Sequence, residues 1–191
     1  QALNDYRMYL TIERGLSENS IQNYTLDVIA LQDFLAFEKI EESPIECSLD
    51  SVQKFIYETA KKLSPHTQAR RLSGLRSFFD YLIFESYRKS NPTDLIEAPK
   101  LGRKIPDVLS IDEIELMINQ IDLSHPQGHR NRAILELLYG SGIRVSELTE
   151  LNLSNLFFKE DMIRVTGKGN KQRLVPMGGV TKKYLKLYIC L

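Results

Sequence analysis

Cysteine is nearly absent. The two present, Cys47 and Cys190, are far apart and lack metal-ligand spacing. That excludes a disulfide-stapled secreted scaffold and a zinc module, and a reducing compartment, most simply the cytoplasm, is expected. No apolar run approaches the roughly 18 residues of a membrane span, so no membrane partner is expected. No signal-peptide pattern opens the chain. It starts at Gln1 rather than Met, so a piece of a longer chain is expected. Net charge is also missing, with 25 basic side chains against 25 acidic ones, which on its own points away from a polyanion. What remains is a globular profile: 191 residues, 42% hydrophobic and 26% charged. That is enough for one large or two small domains with a buried core.

The zero sum hides a pattern. Residues 1–60 carry four basic and eleven acidic groups, and residues 61–104 carry ten and four. Residues 105–161 again carry four and ten, while residues 162–191 carry seven and none. Two basic blocks alternate with two acidic ones. Folded onto one surface, the basic blocks would face a polyanion; chance clustering on solvated helices is the plainer alternative.

Helical periodicity fills residues 1–97. One helix is expected over Leu3–Arg14, ending at Gly15. A second opens after Ser17, with Ile21, Tyr24, Val28, Leu31 and Leu35 on one stripe. A third covers Leu49–Lys61, with Asp50 or Ser51 near its cap. A fourth starts at Ser64-Pro65, a cap followed by proline at the first helical position, and runs to Phe84. Residues 98–109 read as a linker, since Ala98–Asp107 holds two prolines, one glycine and three basic residues without periodicity. Residues 110–191 are mixed. Helices are expected over Ile111–Ile121, Arg130–Tyr139, Ile143–Leu151 and from Thr181. Strands fit Asn155–Phe158, Met162–Val165 and Gln172–Val175.

Three segments carry chemistry. On the fourth helix Leu72, Leu75, Phe79 and Leu82 share a face; opposite lie His66, Arg70, Ser73, Gly74 and Ser77, with Arg71 and Arg76 on the flanks. No acid occurs between Ser64 and Ser77. Small residues admit a close backbone, and arginines with hydroxyls suit phosphate oxygens. In Tyr139-Gly-Ser-Gly-Ile-Arg-Val-Ser-Glu-Leu148 the glycines break a helix, Ser141 caps the next, and Arg144 lies in its first turn. A guanidinium near free helix N–H groups grips phosphate, whereas a plain surface arginine is disfavoured at that end of the macrodipole. In Val165-Thr-Gly-Lys-Gly-Asn-Lys-Gln-Arg-Leu-Val-Pro176, Lys168 stands between glycines at a hairpin tip. A phosphate-binding P-loop is excluded by Met162 and Gly169, where that motif needs Gly and Ser or Thr.

Taken in order, these segments resemble the tyrosine recombinase (phage integrase) family, closest to its Xer-type members. Gly140-Ser-Gly-Ile-Arg144-Val-Ser-Glu147-Leu148 is similar to the family's box around its first catalytic arginine. Gly167-Lys168-Gly-Asn-Lys-Gln-Arg173-Leu-Val-Pro176 is similar to its hairpin bearing the catalytic lysine. Ser17–Leu35, with Ser20, Tyr24 and Asp27, resembles the second helix of the family's core-binding domain. Ser64-Pro-His66-Thr67 through Arg71, Leu72, Ser73, Leu75, Arg76 and Phe79 resembles the fourth.

The resemblance implies a multidomain chain. An all-α, SAM-like, four-helix core-binding domain at 1–97 would precede, after the linker, the first half of a mixed α+β catalytic domain at 110–191. It implies site-specific DNA cleavage and rejoining through a 3′-phosphotyrosyl link, with no metal and no cofactor. Arg144 would hold non-bridging oxygens and Lys168 would protonate the leaving 5′-oxygen, with Glu147 supporting. His66, Thr67, Arg70, Arg71, Ser73, Arg76, Lys171 and Arg173 would bind DNA. Double-stranded DNA and further protomers, a tetrameric synapse in the full-length protein, are the implied partners. The family's second box, His-x-x-Arg followed by His or Trp and the nucleophilic Tyr, does not follow Arg144, because His66, His125 and His129 all precede it. Tyr184 and Tyr188 come too soon after Lys168. An N-terminal fragment that binds DNA without cleaving it is therefore expected. The alternatives are a non-enzymatic DNA-binding relative and, more remotely, a helical protein–protein adaptor.

Overall fold

The structure, a computed structural model, describes residues 2–102 and 106–190. The chain divides into two compact units, Gln1–Lys104 and Ile105–Leu191. Residues 103–105 of the expected linker lie outside the described residues.

The first unit is helical: α1 (Ala2–Ile12), α2 (Glu18–Phe37), α3 (Leu49–Ala60) and α4 (Pro65–Phe84). No strand occurs among the described residues before 97. Helices α3 and α4 start where side chains relieve orphan N–H groups. Ser64 Oγ accepts from Thr67 N at 3.3 Å ahead of Pro65, and Ser48 Oγ accepts from Ser51 N at 3.3 Å. The cap of α3 is thus Ser48, ahead of the expected Asp50 or Ser51. The α2 stripe Ile21, Val28, Leu31 and Leu35 is buried against Leu72, Leu75, Phe79 and Leu82 of α4, with Tyr6 and Leu10 of α1 and Phe55 of α3 closing the core. Tyr6 meets Phe78 edge-on at 5.2 Å between centroids.

Beyond α4 the chain folds back rather than leaving. Buried Asn91 donates to Asp80 Oδ1 at 2.7 Å and accepts from Thr93 N at 2.9 Å, and Arg76 donates to the Ile96 carbonyl at 2.6 Å. These bonds satisfy a buried turn that would otherwise carry orphan polar groups.

The second unit contains α5 (Ile111–Asn119), α6 (Gly128–Ser141), α7 (Val145–Thr149) and α8 (Gly179–Ile189), with a three-stranded antiparallel sheet in the order β1 (Leu156–Phe157), β2 (Met162–Thr166), β3 (Gln172–Pro176). Ile163 and Val165 alternate inward from β2 onto Ala133 and Leu137 of α6 and Leu185 of α8. Helix α5 begins on a full capping box: Ser110 Oγ accepts from Glu113 N, and the Glu113 carboxylate accepts from Ser110 N. Helices α6 and α8 meet through a glycine. A Cβ on Gly140 would stand 2.5 Å from Thr181 Oγ1, and that hydroxyl donates to the Glu136 carbonyl at 3.1 Å.

This contact corrects the expected helix boundaries. Gly140 and Ser141 do not break α6 but complete it, and the left-handed residue that ends the helix is Gly142, at φ 59°. Ser141 therefore caps no helix, and among the described residues its buried hydroxyl has no hydrogen-bond partner. The following helix is short, and Arg144 is its N-cap in extended conformation rather than a member of its first turn. No helix among the described residues is long and apolar enough to cross a membrane.

Candidate functional site

On α4, His66 and Ser73 are exposed on the face expected for phosphate contact, and Thr67 is half-buried. The arginines are held from within. Asp27 is buried on α2, and Arg70 grips it with two bonds, Nη1 to Oδ2 and Nη2 to Oδ1, both 2.7 Å. Arg71 Nε lies 3.5 Å from Asp27 Oδ1, with its guanidinium over the Phe55 ring. Arg76 is bound to Ile96, as above. Gly74, expected on the outward face, is buried: a Cβ there would sit 2.3 Å from Asp27 Oδ2. The close approach this glycine permits is that of the Asp27 carboxylate. Burial pushes the Asp27 carboxyl up, against the pull of Arg70 and Arg71. Among the described residues Arg70 bonds only Asp27, so its Nε–H and outer N–H groups are left for another acceptor.

The second unit gathers the other residues around one carboxylate. Glu147, the third residue of α7, is only 2% exposed at its side chain, while that of Arg144 is 73% exposed. Glu147 Oε2 accepts from the Arg144 backbone N at 2.8 Å, and Oε1 accepts from Arg144 Nη1 at 2.9 Å. The misfit of an arginine at a helix start is thereby removed, because an acid in the first turn compensates it. Arg173, on β3 opposite Val165, reaches the same group with two bonds: Nη1 to Oε1 at 2.6 Å and Nη2 to Oε2 at 2.8 Å. First Arg173, then the Arg144 backbone N–H and guanidinium, hold the Glu147 carboxyl down to about 2.

The lysine hairpin leans on this cluster. A Cβ on Gly167 would be 3.2 Å from Glu147 Oε1 and 3.5 Å from Arg173 Nη1. Gly167 N donates to the Lys171 carbonyl at 2.8 Å, closing a turn in which Gly169 takes φ 73° and Asn170 φ 58°. Lys168 opens that turn; its side chain lies outside what the structure describes. Lys171 is exposed beside it. The fold thus brings the Arg144 turn, Glu147, Arg173 and the backbone at Lys168 together. The α4 residues belong to the first unit.

Two features escaped the sequence reading. Asp27 and Gly74 form a buried latch whose signal was an acid on the apolar stripe of α2 and a glycine one turn after a pair of arginines. His129 and Arg132 do have His-x-x-Arg spacing, upstream of Arg144. Arg132 is turned inward, however, donating to Glu136 Oε1 and the Ile118 carbonyl, both at 2.9 Å, and covering the Tyr184 ring. That pair is structural, and Tyr184 is packed beneath it. Among the described residues no group of three or more His, Cys, Asp or Glu side chains is arranged to hold a metal ion.

The comparisons with known proteins agree in both units. Residues 3–86 match the model of the phage integrase N-terminal SAM-like domain, and residues 107–190 match that of the phage integrase family. The chain is 36% identical over 189 residues to the tyrosine recombinase XerD of Staphylococcus saprophyticus, and 37% identical over 193 residues to that of Staphylococcus aureus strain N315. Each match covers 98% of this chain and 63% of the relative, so the chain spans under two thirds of the length of these curated relatives. Among solved structures, a lambda integrase (75-356) dimer bound to a COC′ core site shares the fold at 20% identity and TM-score 0.74, over 97% of this chain and 67% of that one. An all-helical SAM-like domain, an Arg144 box and a lysine hairpin in this order, matched by both models and by relatives over nearly the whole chain, place it in the phage integrase, or tyrosine recombinase, family.

Proposed function

We propose that this chain is the DNA-binding first part of a site-specific recombinase that cuts and rejoins DNA through a 3′-phosphotyrosyl intermediate. Residues 1–97 form the core-binding domain, 98–109 the linker and 110–191 part of the catalytic domain. Duplex DNA is the ligand, and further protomers assemble on it in the longer protein. The observation that carries this reading is the exposed Arg144 guanidinium beside a carboxylate already occupied by Arg173. Three charged groups with a surplus positive charge on the exposed member suit a phosphate diester.

The roles follow from chemistry. Arg144 offers a bidentate fork to two non-bridging oxygens as negative charge develops on them. Lys168, at a turn tip next to that site, delivers a proton to the departing 5′-oxygen. The nucleophilic tyrosine lies outside these 191 residues, because Tyr184 is packed under Arg132 and no His-x-x-Arg follows Arg144. His66, Thr67, Ser73 and Lys171 touch the DNA backbone, and Arg70 adds its free donors.

A gel-shift series with a mixed-sequence duplex tests the reading. With four to six phosphates neutralised, affinity falls roughly 10²–10³-fold between 50 and 200 mM salt. Binding that ignores salt, or none at low salt, overturns the reading. Intact duplex recovered after incubation is the expected result for these residues alone; cleavage would relocate the nucleophile.

A further inference from the structure

Glu147 is one carboxylate facing two guanidiniums, and the two are not equivalent. Arg173 uses two side-chain bonds, at 2.6 and 2.8 Å. The Arg144 guanidinium uses one, at 2.9 Å, while the Arg144 backbone N–H makes the other. A bidentate fork is the stronger and more directional pair, so Arg173 is the fixed partner and the Arg144 guanidinium the replaceable one. The cluster carries one negative and two positive charges. With Glu147 neutralised by Arg173, the surplus charge resides on Arg144, the member whose side chain is largely in solvent. Arg173 also stands on β3, and Gly167 at the other side of the turn lies against the same carboxylate. The pair therefore fastens the hairpin bearing Lys168 to the turn bearing Arg144.

We propose that Arg173 is a positioning residue rather than a DNA contact: it occupies Glu147, which frees the Arg144 charge for a phosphate and clamps the lysine hairpin beside it. The proposal rests on the reading of Arg144 as a phosphate ligand, and it assigns Arg173 a task other than the phosphate contact expected from sequence. Without Arg173, Glu147 and Arg144 become a neutral pair, and the anion loses its partner although Arg144 is intact. Removing both members of the clamp returns the free charge to Arg144 but leaves the hairpin unfastened. A purely structural residue, or a direct phosphate ligand, behaves otherwise.

The experiment uses the 191-residue chain with three variants, R173Q, R173K and the double E147Q/R173Q. Duplex binding is titrated against salt, and amide exchange at Gly167, whose N–H closes the turn, is followed by NMR without DNA. R173Q lowers the slope of log K against log salt by about 0.9, one effective charge, and the double variant restores it. Gly167 exchanges about tenfold faster in both. R173K keeps the charge and one bond, so its slope stays at the parent value and its exchange falls between; it serves if R173Q fails to fold. A double variant that remains about 0.9 below the parent shows Arg173 touching phosphate itself, and overturns the proposal. Unchanged exchange at Gly167 overturns the clamp. If the parent chain shows no salt-dependent binding, the recombinase reading fails, and the exchange measurement alone still decides the clamp.

Discussion

Asp27 shares its helix with Val28 and Leu31, and an unpaired carboxylate in that position would be costly. Arg70 and Arg71 pair with it, and Gly74 leaves it room. Two effects oppose each other in Gly74→Ala. Alanine favours a helix by about 1 kcal/mol over glycine. Against that, the new Cβ would lie 2.3 Å from Asp27 Oδ2 and drive the carboxylate off a two-bond pair. Losing a buried partner costs roughly 3–5 kcal/mol, discounted here because Arg70 remains partly solvated, so a net loss of about 1–3 kcal/mol is expected. A urea midpoint that falls at constant m checks this; a raised midpoint would mean that Asp27 relocates freely. Glu147 gives the pH counterpart. Its folded pKa, about 2, is below the ordinary carboxylate value of 4.5. Its contribution to stability is thus fully present above 4.5 and is lost as pH falls toward 2. Glu147→Gln should flatten that part of the acid limb in unfolding measured between pH 6 and 2; an unchanged limb would deny the carboxylate its two arginines. The sequence made the basic residues around Asp27 and Glu147 legible, but not their engagement. A count of charges records no partner, and the partners lie 43 and 26 residues apart.

At the scale of elements, the starts of α2 and α4 were legible because their signals are local: Ser17 and Ser64 each precede a helix where an N-cap was expected. The boundary between α6 and α7 was not, because two glycines compete for it. Only one adopts the left-handed conformation, and tertiary packing decides which. Gly140 stays helical since Thr181 of α8 lies against its Cα, whereas Gly142 stands in open space at φ 59°. The two positions should therefore reject side chains for different reasons. Gly142→Ala is strained in the backbone and should cost about 1–2 kcal/mol, and Gly142→Asn should cost less, because Asn tolerates that region. At Gly140 both substitutions should be destabilising, with Asn the worse, since the obstacle is Thr181 Oγ1 at 2.5 Å. Thermal unfolding of the four variants checks the ordering; equal losses for Ala and Asn at Gly142 would refute a backbone cause. The strands of the lysine hairpin were legible to within one residue, since glycines and polar residues mark the turn between them; their register, with Val165 opposite Arg173, is a finding of the structure.

At the scale of the whole molecule, the alternating charge blocks acquire a physical reading. Part of the basic charge is internal: Arg70 and Arg71 on Asp27, Arg132 on Glu136, Arg173 on Glu147. The charge available to a polyanion is smaller than the count suggests, and in the proposed function Arg144 is its focal member. On the function proposed above, Arg144 and Lys168 would have separable tasks in a protein of the relatives' full length. In the proposed role Arg144 would stabilise charge on non-bridging oxygens, so Arg144→Ala should cost several kcal/mol, roughly 10²–10³-fold or more in cleavage rate, whatever the leaving group. Lys168, as the proposed proton donor, would act on the leaving group alone. An alkoxide needs its proton as the P–O bond breaks, whereas a thiolate departs unprotonated near neutral pH. Replacing the 5′-bridging oxygen of the DNA by sulfur should restore cleavage by Lys168→Ala and leave Arg144→Ala impaired. Because Arg173 fastens the hairpin, its variants should show a mixed response: sulfur recovers the share of the defect due to a displaced lysine, and not the share due to an arginine neutralised by Glu147. Equal recovery of Lys168→Ala and Arg144→Ala, or recovery of neither, would assign the proton donor to another residue.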